Sequence, residues 1–453
     1  MIKLLLACFY VLLTLLPNSH ALSVAWPWVL IWQVFLAIPI VWLVIQVAHS
    51  RRLFLLGFGF DSAILLLLLC IGLNVVFAQH INQAIWQSIT LLGFIAGVYA
   101  LNQWLNEEKC ADKLFLFQGC VSFAFIVISL LLWINQTFMP ELVQLKTLAL
   151  AGIKGGFNLN EISLRNWHPL GHQNYVAGYL SLALPVMLSL SLQRSGWQRY
   201  LWFSGFILGL VDLYTTYSRA GFLCLGLCSF VFCGSIIFQN IYSLRLRLTS
   251  LILLFLTLVV TLSNSRVIGF ISTLLTNKGA HDGYRIITNS IGFHMGSTHF
   301  WTGVGIGNIP LLYQGYRPFW AGQEAEHTFQ LHSTPAQFWA ELGLLGVILC
   351  VVFLYLGLRA AFTTNALNEV SQNIQLSHNS VKSLWFGLLA YAVYSLTDYQ
   401  LDNIAISGTL IIYGTLILSH RQHTHKLGNS PRLNSSHYRL RISHAAFCME
   451  KKN

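Results

Sequence analysis

Apolar runs of about 20 residues follow one another along most of this chain, separated by short polar turns. A helix needs roughly 20 such residues to cross the hydrocarbon core of a bilayer. About twelve runs satisfy this length, near 2–16, 23–46, 60–78, 82–101, 114–138, 174–192, 200–215, 219–239, 247–263, 336–357, 383–399 and 403–419. Lipid offers no partner to a backbone amide, so each run is read as a helix. Composition excludes a water-soluble alternative. Hydrophobic residues make up 55% and charged residues 9%, against about 25% charged in globular proteins. The net charge of +11 does not point to nucleic acid, because the cations are scattered between apolar runs and form no single basic face. Most of the nine cysteines, Cys224 and Cys228 among them, lie inside apolar stretches. There cysteine behaves as a small hydrophobe.

These features predict an all-α polytopic membrane protein, with residues 1–419 as one integral-membrane domain of about twelve transmembrane helices. The first run is followed by no small-residue cleavage site and reads as a retained anchor. With the N terminus inside, most of the Lys and Arg fall on the inner side, including Lys3, Arg51, Arg52, Lys109, Lys113, Arg194, Arg199, Arg245, Arg247, Arg359 and Lys382. Both termini are then cytoplasmic. The basic tail over 420–453 has the composition of a disordered segment beside an anionic leaflet. Two long loops remain outside, over about 139–173 and 264–335. In the second, the apolar spacing over 284–295 predicts a helix lying on the membrane surface. Gly303-Val-Gly305-Ile-Gly307 reads as a tight turn toward the membrane, since no strand precedes it as a nucleotide loop would need.

Polar groups gather on the outer side of this layout. Arg219 begins a span in Tyr217-Ser218-Arg219-Ala220-Gly221, and Arg285 opens the surface helix. His332 stands just before the span starting near Pro335, and His172, Gln173 and Asn174 precede another. Asp398 and Asp402 flank the last outer turn, and Arg317 lies in the long loop. A neutral imidazole accepts a proton near neutral pH. Guanidinium forks bind phosphate oxygens. Together they can activate an acceptor hydroxyl and stabilise a departing diphosphate. The chain lacks an Asp-x-Asp pair for a divalent metal, which favours metal-free transfer from a lipid diphosphate. The plainer reading is that interfacial arginines snorkel or cap helices. The i, i+5 spacing of His294/His299 and of His327/His332 argues against a zinc site.

His332-Ser333, nine residues, then Gly343-Leu-Leu-Gly346 resembles the His-[Asn/Ser/Gln]-x9-Gly-x-x-[Gly/Thr/Tyr] signature of the O-antigen ligase family of bacterial membrane glycosyltransferases. Gly171-His-Gln-Asn174-Tyr-Val-Ala-Gly178-Tyr resembles that family's Gly-x-x-Asn-x-x-Ala-x-Tyr lead into a span. Ser218-Arg219-Ala220 resembles its Ser-Arg-Gly/Ala element, and Arg285 with Gly303-Val-Gly305-Ile-Gly307-Asn308 its Arg…Gly-x-Gly-x-Gly-Asn loop. The resemblance covers about 165–405. It implies a GT-C-like helical fold in the bacterial inner membrane and a periplasmic active site in the long loop. It implies an inverting, metal-independent ligase that moves a glycan from undecaprenyl diphosphate, with no cofactor. His332 would be the catalytic base, and Arg219 and Arg285 would bind the diphosphate. His172, Asn174, Arg317 and Asp398 would support them. The acceptor is left open among lipid A core, a growing glycan and a protein, because polysaccharide polymerases and protein O-oligosaccharyltransferases share these motifs. A solute transporter, for bicarbonate for example, is the alternative of another class. It would need charged groups or broken helices at mid-membrane, whereas Asp61, Asp212 and Asp398 fall near span ends and Glu341 about two turns into its helix.

Overall fold

In the computed structural model the described residues are 28–108, 110–159, 161–238, 283–322, 328–364 and 376–429, with scattered positions between 244 and 259. They form a multi-pass helical membrane protein. The helices are α1 (Trp28–Ser50), α2 (Phe60–Phe77), α3 (Ile81–Glu108), α4 (Ala111–Trp133), α5 (Met139–Leu150), α6 (Gln173–Gln193), α7 (Trp197–Thr216), α8 (Arg219–Phe238), α9 (Gly283–Thr298), α10 (Thr334–Thr364), α11 (His378–Ser395) and α12 (Ile404–Asn429). Six helical stretches among the described residues are long and apolar enough to cross a membrane: Phe60–Phe77, Ile81–Glu107, Ala111–Leu150, Gln173–Gln193, Thr334–Ala361 and Ile404–Gln422. The spans expected near 200–215, 219–239 and 383–399 form helices as well. Those expected at 2–16 and, for most of its length, 247–263 lie outside the described residues.

Two expected boundaries are corrected. The outer loop expected from about 139 begins as helix. A π-helical turn over Ile134–Phe138 carries α4 on into α5, so the irregular segment starts after Leu150. Here the polar Asn135 and Gln136 mark no helix end, because the backbone ladder continues through the extra residue of a π turn. Likewise the first ten residues of the tail expected to be disordered over 420–453 continue α12 to Asn429, and 430–453 lie outside the described residues. The tail's first residues are buried: His420 is packed inside, and Arg421 lies with its guanidinium 4.2 Å over the Phe58 ring.

α6 and α12 form the centre. Their apolar residues, from Val176 to Leu190 and from Ala405 to Ile417, pack with those of α4 and α11 in one core. Small residues permit the close approach. Gly178 leaves room for the Gln400 side chain, which a Cβ there would strike. By contrast, α2 shows Leu65, Leu69, Leu73 and Val76 on its outer side, and α10 shows Val351, Leu354, Tyr355 and Leu358. Such stripes would be costly in water and are what a lipid-facing helix requires.

The long loop has a core of its own. α9 places Ile287, Ile291 and Met295 at helical spacing against Val304, Ile309, Tyr313, Leu331 and Ala340. Ile286 and Phe293, on the opposite side, are exposed. Gly303, Gly305 and Gly307 all have positive φ, of 67°, 108° and 74°. The turn they make lies against a break in α10 at Gly343, where φ is 59° and ψ is −148°. Across the break Val304 N–H donates to Ala340 O at 2.9 Å, and Leu344 N–H to Phe300 O at 2.8 Å. A Cβ at Gly343 would lie 2.6 Å from the Phe300 carbonyl oxygen and 2.7 Å from the Gly303 nitrogen. Gly343→Ala should therefore lower stability by about 3 kcal/mol or more, from left-handed strain plus the clash. Gly322→Ala, at φ 56° and ψ −125° in open space, should cost only the backbone strain, about 1–3 kcal/mol. Thermal unfolding of the two variants in detergent measures the difference, and equal midpoints would show that the turn moves freely.

Candidate active site

His332 lies in the short segment between the loop and α10. The backbone there is fixed from below. Leu331 N–H donates to Gln337 Oε1 at 2.7 Å, Gln337 Nε2 donates to Glu341 Oε1 at 2.8 Å, and Gly307 N–H donates to the same oxygen at 3.0 Å. One turn of α10 thus ties the glycine turn to the residue before His332. The imidazole Nδ1 stands 2.7 Å from Asp398 Oδ1. His332 is 20% exposed and Asp398 1%. Asp398 Oδ2 accepts from Gln400 Nε2 at 3.2 Å. Burial alone would raise the Asp398 carboxyl. The His332 hydrogen bond and charge, with His172 and Gln400, outweigh burial and hold it below its ordinary range. An ionised carboxylate only accepts, so Nδ1 is the protonated nitrogen, and in the neutral imidazole Nε2 is then the one with the lone pair. The Tyr284 ring packs edge-on to the imidazole, with centroids 5.1 Å apart.

Asn174 joins this pair to the arginine side. Its carbonyl accepts from Gln400 Nε2 at 2.7 Å and from the Tyr394 hydroxyl at 3.1 Å. Its side-chain oxygen accepts from the Ser218 hydroxyl at 3.1 Å, and Ser218 precedes Arg219, the first residue of α8. His172 caps α6, its Nδ1 accepting Asn174 N–H at 3.2 Å. One edge of His172 is exposed, yet the protein packed around it pulls its imidazole below the ordinary range, while Asp398 pushes it up and His332 pulls it down. The structure thus brings together His332, Asp398, Asn174 and His172, with Arg219 one residue from the network. Arg285 follows Tyr284 and is half-buried, so its chain position adjoins the imidazole. Arg317 donates to Gly322 O at 2.7 Å and braces its own turn. Its charge acts on Tyr313, whose phenol is pushed up to about 12 by burial and by Tyr284 against the pull of Arg317. Among the described residues no group of His, Cys, Asp and Glu side chains is arranged to hold a metal ion.

Tyr284, Gln400, Tyr394 and Tyr175 had no distinguishing signal in the sequence. Tyr175 donates to Asp402 Oδ2 at 3.0 Å and is hydrogen-bonded by Gln330 Nε2. Burial pushes Asp402 up to about 7, against the Tyr175 hydrogen bond. An unfolded aspartate releases its proton near about 4. Between those values the folded chain holds a proton that the unfolded chain has lost. That contribution is full below about 4 and is lost as pH rises to about 7. Asp402→Asn removes the ionisation and keeps an acceptor for Tyr175. Its thermal midpoint should exceed that of wild type more at pH ~8 than at pH ~5. A difference independent of pH would mean that Asp402 ionises as an ordinary carboxylate.

The O-antigen ligase family model matches residues 204–351, the stretch that runs from α7 through the loop into α10 and contains Arg219, Arg285 and His332. No curated protein matches the chain.

Proposed function

We propose, for a chain that belongs through residues 204–351 to the O-antigen ligase superfamily, that it transfers a glycan from undecaprenyl diphosphate to an acceptor hydroxyl on the periplasmic face of the inner membrane. The superfamily match supports a ligase or polymerase type of activity. The observation that carries the finer reading is the His332–Asp398 pair, in which Nδ1 is engaged, so that the neutral imidazole would offer its Nε2 lone pair to the acceptor. In this reading the acceptor hydroxyl passes its proton to Nε2 as its oxygen attacks the anomeric carbon. The bond from that carbon to the diphosphate oxygen breaks, and its electron pair leaves with the diphosphate. Arg219 and Arg285 neutralise the charge that develops there. A single displacement inverts the anomeric centre. Asp398 keeps the imidazole in the required tautomer and balances the imidazolium. The base and the cations supply the two charges the step needs, so no metal is invoked.

Reconstitution tests this directly. The purified protein, a lipid-diphosphate-linked glycan and an acceptor glycan should give a product of inverted anomeric configuration by NMR, at a rate indifferent to a chelator. Retention at that centre would reject the single displacement. Lipid A core, a growing glycan and a protein remain the candidate acceptors. Deletion followed by gels of surface polysaccharide and glycoprotein separates them: loss of long-chain lipopolysaccharide, shortened chains, or unmodified protein.

A further inference from the structure

The arm from 151 to 172, between α5 and α6, carries a guanidinium that lies outside the family match: Arg165. It is only 6% exposed, which is rare for arginine. Its Nε donates to Leu159 O at 3.1 Å and its Nη1 to Gln173 Oε1 at 3.3 Å. The guanidinium lies 5.8 Å over the Tyr217 ring. Both chain neighbours are pinned. Trp133 Nε1 donates to Leu164 O at 3.0 Å. Asn166 N–H donates to Thr215 O at 2.9 Å, and Asn166 Nδ2 donates to Asp212 Oδ1 at 2.7 Å and Ser129 Oγ at 2.9 Å.

Thr215 and Asp212 belong to the end of α7, which runs straight into Tyr217-Ser218-Arg219. Tyr217 sits at φ 53°, a left-handed conformation uncommon for a residue with a side chain. Such strain persists where surrounding structure enforces it and concentrates at functional sites. The arm bearing Arg165 and the turn leading to Arg219 are therefore strapped together by one buried network. The two cations feel each other: burial lowers the Arg165 guanidinium, Tyr217 raises it, and Arg219 lowers it further. Placing like charges in one buried network is unfavourable until an anion joins them. The Gln173 that holds Arg165 is also the residue before Asn174, which leads through Gln400 and Asp398 to His332.

We infer that Arg165 is a further donor-binding residue, which together with Arg219 grips the diphosphate headgroup of the lipid-linked substrate. The inference rests on the proposed transfer reaction. Arg165, held by Leu159 O and Gln173 Oε1, adds a fixed positive charge beside the turn that carries Arg219, and a headgroup with two phosphoryl units carries the negative charge to meet both.

Full-length protein in detergent should be titrated with farnesyl diphosphate and with farnesyl monophosphate. Wild type should favour the diphosphate. Arg165→Gln should weaken diphosphate binding roughly tenfold or more, the size of one charge-assisted hydrogen bond. It should leave monophosphate binding and the ligand-free thermal midpoint near wild type, and raise KM for the donor more than it lowers kcat. If Arg165→Gln fails to fold, Gln173→Ala releases one hold without removing the charge, and it should weaken diphosphate binding in the same sense. Undiminished diphosphate binding in a folded variant would overturn the inference. So would an equal loss for both lipids with a lowered midpoint, which would mark Arg165 as a structural strut. A wild type that does not distinguish the two lipids would instead overturn the donor reading itself.

Discussion

His332→Ala should lower glycan transfer by about 10² to 10⁴, the range contributed by a positioned general base, while the protein still reaches the membrane. Alanine also leaves Asp398, which is 1% exposed, without the donor 2.7 Å away. Removing one partner of a buried pair can cost about 3–5 kcal/mol, so lost activity alone would not separate chemistry from damage. His332→Gln separates them. A glutamine amide can donate to Asp398 and keep the carboxylate satisfied, yet it has no lone pair basic enough to take the acceptor's proton. The expected result is a His332→Gln protein with near-normal thermal midpoint, donor binding retained, and transfer as low as in the alanine variant. Wild-type rates in His332→Gln would remove His332 from the base role and leave it as a support for the last outer turn.

How far such a site was visible in the sequence depends on contrast. His332, Arg219, Asn174 and Asp398 stand out because charge and amide groups are costly beside lipid and therefore sparse. Gln400, Tyr394, Tyr175 and Tyr284 do not, since tyrosine and glutamine are ordinary at helix ends. Their roles come from what faces them across the fold, as when the Gln400 amide bridges Asn174 O and Asp398 Oδ2. Arg165, within the outer stretch 139–173, has no sequence feature that singles it out, and its role comes from the fold, which places it beside Tyr217. The helices themselves were legible because lipid forces each apolar run to close its own hydrogen bonds. Their ends were less so. The run from Ala111 continues to Leu150, through the π turn over Ile134–Phe138 and past Pro140 at the start of α5, and α12 continues to Asn429, because polar residues alone do not end a helix. Apolar length reports where lipid begins, not where the helix stops. The spacing between His332 and Gly343 was legible as a motif but not as geometry. In the fold it sets the distance from the imidazole to the break in α10 on which the glycine turn rests.

Asp398→Asn should reduce transfer to nearly the same extent as His332→Gln, by about 10² or more, although it changes one atom and no volume. The reason lies in Gln400. Its Nε2 donates to Asp398 Oδ2 at 3.2 Å and to Asn174 O at 2.7 Å, so the amide that replaces the Asp398 carboxylate must turn its oxygen toward Gln400. Its NH₂ then faces His332 Nδ1, in the position Oδ1 occupied at 2.7 Å. A donor opposite Nδ1 makes that nitrogen the acceptor and moves the ring proton to Nε2. The imidazole now meets the incoming hydroxyl with a proton where it needs a lone pair, and the carboxylate that would balance an imidazolium is gone. Packing is preserved, so the thermal midpoint and farnesyl diphosphate binding should stay close to wild type while kcat falls. Nitrogen-15 chemical shifts of the His332 ring give the decisive reading. In wild type the proton should reside on Nδ1, and in Asp398→Asn on Nε2. An Asp398→Asn protein with unchanged kcat, or one whose ring keeps its proton on Nδ1, would show that Asp398 does not set the tautomer that the transfer reaction requires.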